Sequence, residues 1–371
     1  MMDAVILEPQ ALIVRAGSGV TTFCDRPFPL IVARAGPEAS RRFIEFFTAN
    51  IRNSNTRAAY ARAVAQFFEW CESQGLGLRD LSPFHVAAYV EQLAKRSPQL
   101  RPVMRTASNG TRFGATSQTL SLQAPSVKQH LAAIRMLFDW LVVGQVVPHN
   151  PAASVRGPAH VTRRGKTPVL SAADARKLLD SIPLTRKVRR DGLAVEVADL
   201  VGLRDRALIG VMVFSFARVG AVVGMRVEDY YQNGKRCWFR LHEKGGKFHE
   251  VPAHHKAEAY LDAYLEAGGI GTEKKTPLFR AAAGKTNALS ATGMSRFDAF
   301  RMIKRRAKAA ELPENICCHT FRATGITAYL EAGGTIENAQ TIAAHESPRT
   351  TKLYDRTSDA LSLDEIERIA I

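Results

Sequence analysis

The stretch "HTFRATGITAYLEAGGTIENAQTIAAHESPRTTKLYDR", residues 319–356, sets His319, Arg322, His345 and Tyr354 among helix-forming apolar residues, with a glycine turn at Gly333-Gly334 between them. His319 and Arg322 are three apart, so a helix puts both on one face. Alone, such a pair reads as surface groups at chance spacing. The residues upstream change that reading. Arg218 closes an apolar helix in "FSFARVGAVVGM", where a buried charge needs a partner. In "KRCWFRLHEKGGKFHEVPA", Cys237, Phe239 and Leu241 alternate with polar residues, the chain turns at Gly245-Gly246, and a second strand returns. That pattern predicts a β-hairpin with Lys244 at its turn.

Outward from this core the chain reads as two domains, as 371 residues suggest. Residues 1–37 have no period and several Gly and Pro, and are taken as an N-terminal arm. Residues 38–151 predict an all-helical domain. Its first helix is capped at Ser54 or Asn55, carries Tyr60, Val64, Phe67, Phe68 and Cys71 on one face, and ends at Gly75. "PFHVAAYVEQLAKR" gives a second helix. A third starts at Ser126 and aligns Val127, Leu131, Ile134, Phe138 and Leu141. The Ser, Thr, Gly and Pro-rich segment between the last two reads as a long loop. Residues 152–169 form a basic, Pro/Gly-punctuated linker. A second domain, 170–371, opens with Ser171 capping a helix and Asp174 three residues on. A buried helix follows in "LVGLRDRALIGVMVFSFARVGAVVGMRVEDY", and beyond the hairpin the remainder reads as helical.

The charge is basic: 51 Lys plus Arg against 35 Asp plus Glu, a net +16. Such an excess suits phosphate neutralisation, although a solvated basic face gives the same balance. Two long stretches lack any acid, Ala94–Phe138 and Trp140–Ala173. They hold the candidate DNA-contacting residues Arg101, Arg105, Arg112, Lys128, Arg135, Arg163, Arg164 and Lys166. Five cysteines without CxxC spacing read as reduced thiols, and no apolar run is long enough for a membrane span, so a cytoplasmic, nucleoid-associated protein is expected. No GxxxxGK[ST] loop and no carboxylate cluster for a two-metal nuclease is found, and His254-His255 reads as a surface helix start; no cofactor and no metal is expected.

The ordered set Arg218, Lys244, His319-x-x-Arg322, His345, Tyr354 resembles the active site of the tyrosine recombinases, the phage integrase family of site-specific recombinases. The resemblance covers roughly residues 38–371, and the nine-residue interval from His345 to Tyr354 agrees with it. It implies a mainly α fold with a small β-sheet: a helical core-binding (SAM-like) DNA-binding domain plus an α+β catalytic domain, forming a clamp around DNA. It implies Tyr354 as nucleophile, Arg218 and Arg322 gripping the phosphate, Lys244 as acid for the leaving 5′-oxygen, His319 as acid/base near the tyrosine, and His345 as donor to the phosphate. The product would be a 3′-phosphotyrosine, rejoined without ATP or metal. This chemistry stands on its own terms: phosphodiester cleavage needs a nucleophile, charge neutralisation and a proton for the leaving oxygen.

One position departs from the family pattern. Ala221 stands where an acidic residue usually follows the first arginine by three, which leaves open whether Glu228, Asp229 or another carboxylate holds Arg218. The C-terminal "SLDEIERIAI" predicts a capped helix with Leu363, Ile366 and Ile369 in an apolar stripe. It docks either on its own domain or, as the resemblance implies, on a neighbouring protomer of a homo-tetramer on two DNA recombination sites. The resemblance also admits accessory DNA-bending proteins as partners. Two rivals remain: a type IB topoisomerase-like DNA-relaxing enzyme, and a catalytically silent DNA-binding protein of the same fold.

Overall fold

The computed structural model describes residues 22–23, 26–95, 99–106, 112–119, 122–160, 165–191, 193–243, 246, 248–284 and 286–355, with backbone alone for its first four strands. The chain divides into two compact units, Met1–Val161 and Thr162–Ile371.

The first unit begins with a minimal strand pair, β1 (Thr22–Phe23) and β2 (Arg26–Pro27), followed by α1 (Leu30–Arg34) and α2 (Pro37–Glu45). Regular structure therefore starts inside the segment expected to be an arm. Ile31 and Val32 explain why: both are buried in the unit's core. α2 runs into a π-turn, Phe46–Asn50. Next come α3 (Ser54–Ser73), α4 (Pro83–Lys95) and α5 (Ala124–Val143). Asn53 caps α3 by accepting from the amides of Asn55 and Thr56, so the cap lies one residue before the expected pair. α5 starts at Ala124, ahead of the Ser126 cap, because Pro125 is tolerated in a first turn.

The expected helix faces are the buried ones. Val64, Phe67, Phe68 and Cys71 from α3 meet Val127, Leu131, Ile134, Phe138 and Leu141 from α5. Aromatic rings mesh edge to face, as with Phe67 and Tyr89 at 5.0 Å and Phe43 and Phe47 at 5.2 Å.

The segment expected to be a long loop is instead a hairpin, β3 (Gln99–Thr106) with β4 (Arg112–Thr119), paired from Gln99↔Thr119 to Thr106↔Arg112. Asn109-Gly110 in the connection is a hairpin signal that the Ser/Thr-rich composition obscured.

The second unit opens with α6 (Ala172–Asp180), whose Ser171 side chain accepts from the Asp174 amide as expected. A hairpin follows that the sequence reading did not anticipate, β5 (Thr185–Arg190) with β6 (Leu193–Ala198). The long apolar segment is broken into α7 (Leu200–Phe214) and α8 (Val219–Val223). The expected hairpin is part of a three-stranded antiparallel sheet, β7 (Tyr230–Asn233), β8 (Arg236–His242) and β9 (Phe248–Pro252). Then come α9 (His255–Gly268), a short hairpin of β10 (Arg280–Ala282) and β11 (Leu289–Gly293) in a region expected to be wholly helical, and α10 (Arg296–Ala309). The described chain ends in α11 (Cys318–Glu331), α12 (Ile336–Ile342) and α13 (Pro348–Lys352). His254 caps α9 and stacks on Phe214 at 4.1 Å, the surface helix start that its context suggested.

Candidate active site

α7 is buried from Gly202 to Met212 apart from Arg206, and its buried charges are paired. Asp205, inaccessible to solvent, receives Arg204, Arg305 at 3.1 Å and Arg306 at 2.8 Å. α11 crosses close by: a Cβ on Gly325 would lie 2.1 Å from the Val213 carbonyl oxygen, so only glycine permits this approach. The crossing places Arg322, one turn earlier, against the break between α7 and α8.

Two residues without glycine's freedom adopt left-handed backbone there, Phe216 (φ 54°) and Ala344 (φ 48°). Such conformations cost on the order of 1 kcal/mol or more each and persist when surroundings impose them. Arg322 does so. It is 1% exposed, donates from Nη1 to the Phe216 carbonyl, and donates from Nη2 to the Ala343 carbonyl at 2.6 Å. One buried guanidinium thus fastens both turns. The first presents Arg218 two residues later, and the second presents His345 immediately. The Nε of Arg322 is buried without a hydrogen-bond partner, a donor left over in the site.

Tyr354 follows α13 with its ring 7% exposed. Its backbone is held by Thr327 Oγ1 donating to its carbonyl at 2.9 Å. Gly165 donates to the Leu353 carbonyl at 3.0 Å, an approach a Cβ would block. The phenol Oη lies 2.6 Å from His319 Nε2. The His345 ring lies parallel to the tyrosine ring, 5.7 Å between centroids, with Nδ1 2.9 Å from the buried Thr351 hydroxyl.

The electrostatics follow from this crowding. Burial, then Arg218, brings Arg322 down to about 10. Partial burial, then Arg322 and Arg218, push His319 below the usual imidazole value. The same causes push His345 down to about 3. Both imidazoles are therefore neutral near pH 7, each with one ring nitrogen able to accept.

Arg218 caps α8 with its side chain 40% exposed, and its Nη1 meets Glu243 Oε2 at 2.5 Å. Neither carboxylate weighed for that role supplies it. Asp229 accepts from the Arg226 amide and faces His242, and Glu228 lies 3.6 Å from Arg226. Glu243 was legible in one respect: it continues the inward alternation Phe239, Leu241, Glu243, so an acid falls on a core-facing position. Thr351 gave no such signal.

Of the expected site, Arg218, His319, Arg322, His345 and Tyr354 come together, while Lys244 lies outside the described residues. The flanking strands β8 and β9 are described, and His249 donates from Nε2 to the Ile342 carbonyl at 2.8 Å, tying β9 to the end of α12. Among the candidate DNA contacts, Arg163 and Arg164 also lie outside the described residues, as do the side chains of Arg101, Arg105 and Arg112. Lys128 and Lys166 are exposed. Arg135 is already engaged, donating to the carbonyls of Ala152 at 3.2 Å and Val155 at 2.7 Å.

Comparison with known proteins matches residues 193–360 to the sequence model of the phage integrase family. The tyrosine recombinase XerD of Corynebacterium glutamicum is 28% identical over 315 residues, covering 83% of this chain and 90% of that protein. The tyrosine recombinase XerC of Escherichia coli O127:H6 is 26% identical over 242 residues, covering 65% and 73%. In structure, the chain resembles XerH site-specific recombinase bound to difH substrate in a pre-cleavage complex, with a TM-score of 0.58, 14% identity, and 92% and 95% of the two chains covered. It also resembles lambda integrase bound as a dimer to a COC′ core site, with a TM-score of 0.56, 16% identity, and 87% and 80% covered. Residues 193–360 thus match the phage integrase family, and the relatives that extend along the rest of the chain are tyrosine recombinases.

Proposed function

We propose that this protein is a site-specific DNA recombinase of the integrase type, clamping duplex DNA and cutting and rejoining strands through Tyr354. The observation that carries the reading is the 2.6 Å contact between Tyr354 Oη and His319 Nε2, beside Arg218, Arg322 and His345 of the same chain. A neutral His319 with its proton on Nδ1 accepts the phenol proton at Nε2, and the phenolate oxygen attacks phosphorus. The bond from phosphorus to the 5′-oxygen breaks, and Lys244 protonates the departing oxygen. The product is a 3′-phosphotyrosine and a 5′-hydroxyl. Attack by a 5′-hydroxyl from another strand reverses the steps, so neither ATP nor metal is consumed.

Arg218 offers the open part of its guanidinium to the non-bridging oxygens, and Arg322 supplies positive charge from below. A neutral His345 whose Nδ1 accepts from Thr351 carries its proton on Nε2, a donor for the same phosphate. That the relatives are recombinases, and that XerH and lambda integrase were solved on DNA, support a DNA recombination site as substrate. The +16 charge suits it.

A homo-tetramer on two such sites completes the reading. A groove of about 730 Å³ in the second unit, lined by Leu170, Leu179, Val213, Phe214 and Phe321 among others, suits the apolar stripe of residues 356–371 from a neighbouring copy. That segment lies outside the described residues.

The test uses fragmented DNA from the source genome, incubated with protein in EDTA, denatured and searched for protein-linked DNA. Wild type is expected to give an adduct whose sequenced ends share one site. Tyr354→Phe is expected to bind the same DNA and give none. Absence of any adduct with wild type despite tight binding would favour the silent binder, and relaxation of supercoiled DNA by the monomer without site preference would favour the topoisomerase.

A further inference from the structure

We propose that Glu243 is the positioning residue for Arg218, standing in for the acid that Ala221 does not supply and coupling that arginine to the hairpin that carries Lys244. The inference rests on the recombinase reading above. Glu243 is 8% exposed, and a buried carboxylate is tolerated only beside a cation. Its recorded partner is Arg218 Nη1 at 2.5 Å. Ala221, at the third position of α8 with Arg218 as cap, is where a longer acidic side chain could reach back to the cap residue. A methyl group cannot. The carboxylate comes instead from the end of β8, across 25 residues of chain.

This placement has two consequences. Arg218 disfavours the charge on the neighbouring Arg322 before any phosphate arrives, and Glu243 offsets that repulsion. Pinning Nη1 also narrows the positions of Nη2 and Nε on the same planar fork, whose side chain stays 40% exposed. In addition, Glu243 directly precedes Lys244, so the ion pair fixes the root of the turn bearing the candidate acid to the arginine that holds the phosphate.

The test compares Glu243→Ala and Glu243→Asp on two substrates, the mapped site with an ordinary scissile phosphate and the same site with a methylphosphonate there. A methylphosphonate lacks the negative charge that Arg218 neutralises, so a defect acting through Arg218 should vanish on it. Glu243→Ala is expected to slow single-turnover cleavage of the phosphate by tenfold or more, with DNA affinity within about twofold, and to match wild type on the methylphosphonate. Glu243→Asp should recover most of the rate. In an Arg218→Ala background, which leaves no unpaired buried carboxylate once Glu243 is also removed, Glu243→Ala should slow the phosphate no further. Equal slowing on both substrates, or additive loss in the double variant, would overturn the proposal and assign Glu243 to hairpin folding alone. Wild-type rates for Glu243→Ala would overturn it as well. A wild type that forms no adduct on either substrate would instead remove the recombinase reading, and this proposal with it.

Discussion

The two units of this protein bury different things. In the first, the core is aromatic: Phe43, Phe46, Phe47, Phe67, Phe68, Phe138 and Tyr89 are almost wholly enclosed, and among the described residues no charged side chain is buried with them. In the second, Arg204, Asp205, Asp229, Glu243, Arg280, Arg322 and His345 are buried. Taking charge out of water costs several kcal/mol per ion unless partners are well placed, so a fold gains little stability from such groups. Some of them serve the core, as Asp205 does for Arg204, Arg305 and Arg306, while Glu243, Arg322 and His345 lie with Arg218 and Tyr354. The core of the first unit is one that any well-packed apolar set of similar volume would serve. The second unit gathers Arg218, Arg322, His319 and His345 beside Tyr354, and under the proposed function its stability and activity draw on the same residues.

The sharpest way to test that contrast sets the two arginines against each other. Arg218 is half in solvent and held by one carboxylate, while Arg322 fastens two strained turns. Arg218→Ala is expected to lower cleavage on the order of 10³-fold with little change in thermal stability. Arg322→Ala is expected to lose cleavage to a similar degree and also to destabilise the second unit, since two buried carbonyls lose their donor at about 1–3 kcal/mol each. Cleavage kinetics and calorimetry on the same preparations separate the cases. Equal melting temperatures for the two variants would break the idea that Arg322 is structural as well as chemical.

What the sequence disclosed follows the same division. Periodic apolar residues announced α3 and α5 because burial of one helix face is a local pattern, and the inward alternation of β8 announced the sheet. Tyr354 and the four polar residues gathered around it were legible as a set through family resemblance. Their supports were not. Arg322 acts on carbonyls 106 and 21 residues away, and Glu243 reaches Arg218 across 25 residues. Such contacts depend on Gly325 letting α11 lie on α7, and on Phe216 and Ala344 accepting left-handed backbone, features set by packing rather than by composition. The hairpins β3–β4 and β5–β6 were missed for another reason: each is a lone two-stranded pair in which one strand, β4 (RFGATSQT) or β5 (TRKVRR), carries few apolar residues, so the alternation has no matching partner pattern.

Smaller effects extend the comparison to stability. Asp205→Asn removes the counter-charge of three arginines at the centre of the second unit, and is expected to cost about 3–5 kcal/mol. Phe67→Ala leaves a cavity in the first unit at a similar cost, about 3–5 kcal/mol. In a two-transition unfolding curve each should shift one transition only. Movement of both together would mean that the units unfold as one.

The histidine beside the nucleophile supplies a pH signature. His345 titrates at about 3 in the folded protein, below the ordinary value of 6.5. Between those values the unfolded chain binds a proton that the native state refuses. Its contribution is thus fully present above pH 6.5 and lost as pH falls toward 3, at up to about 1.4 kcal/mol per pH unit. Urea unfolding at pH 7 and pH 5 should show a larger loss for wild type than for His345→Asn. Equal losses would place the acid sensitivity elsewhere.

The mildest effects belong to the basic surface of the first unit, where two residues that looked alike in the sequence part company. Lys128 is exposed and ready for phosphate, whereas Arg135 holds the carbonyls of Ala152 and Val155. Lys128→Ala should reduce the slope of log affinity against log salt by about one and leave the melting temperature alone. Arg135→Ala should do the reverse, costing about 1 kcal/mol or slightly more through lost hydrogen bonds while keeping the salt slope. A shared drop in slope would show that Arg135 releases its carbonyls when DNA arrives. The acid-free stretch would then act as one phosphate-binding surface, and the contrast between an apolar core and a charge-bearing one would have to be redrawn at that helix.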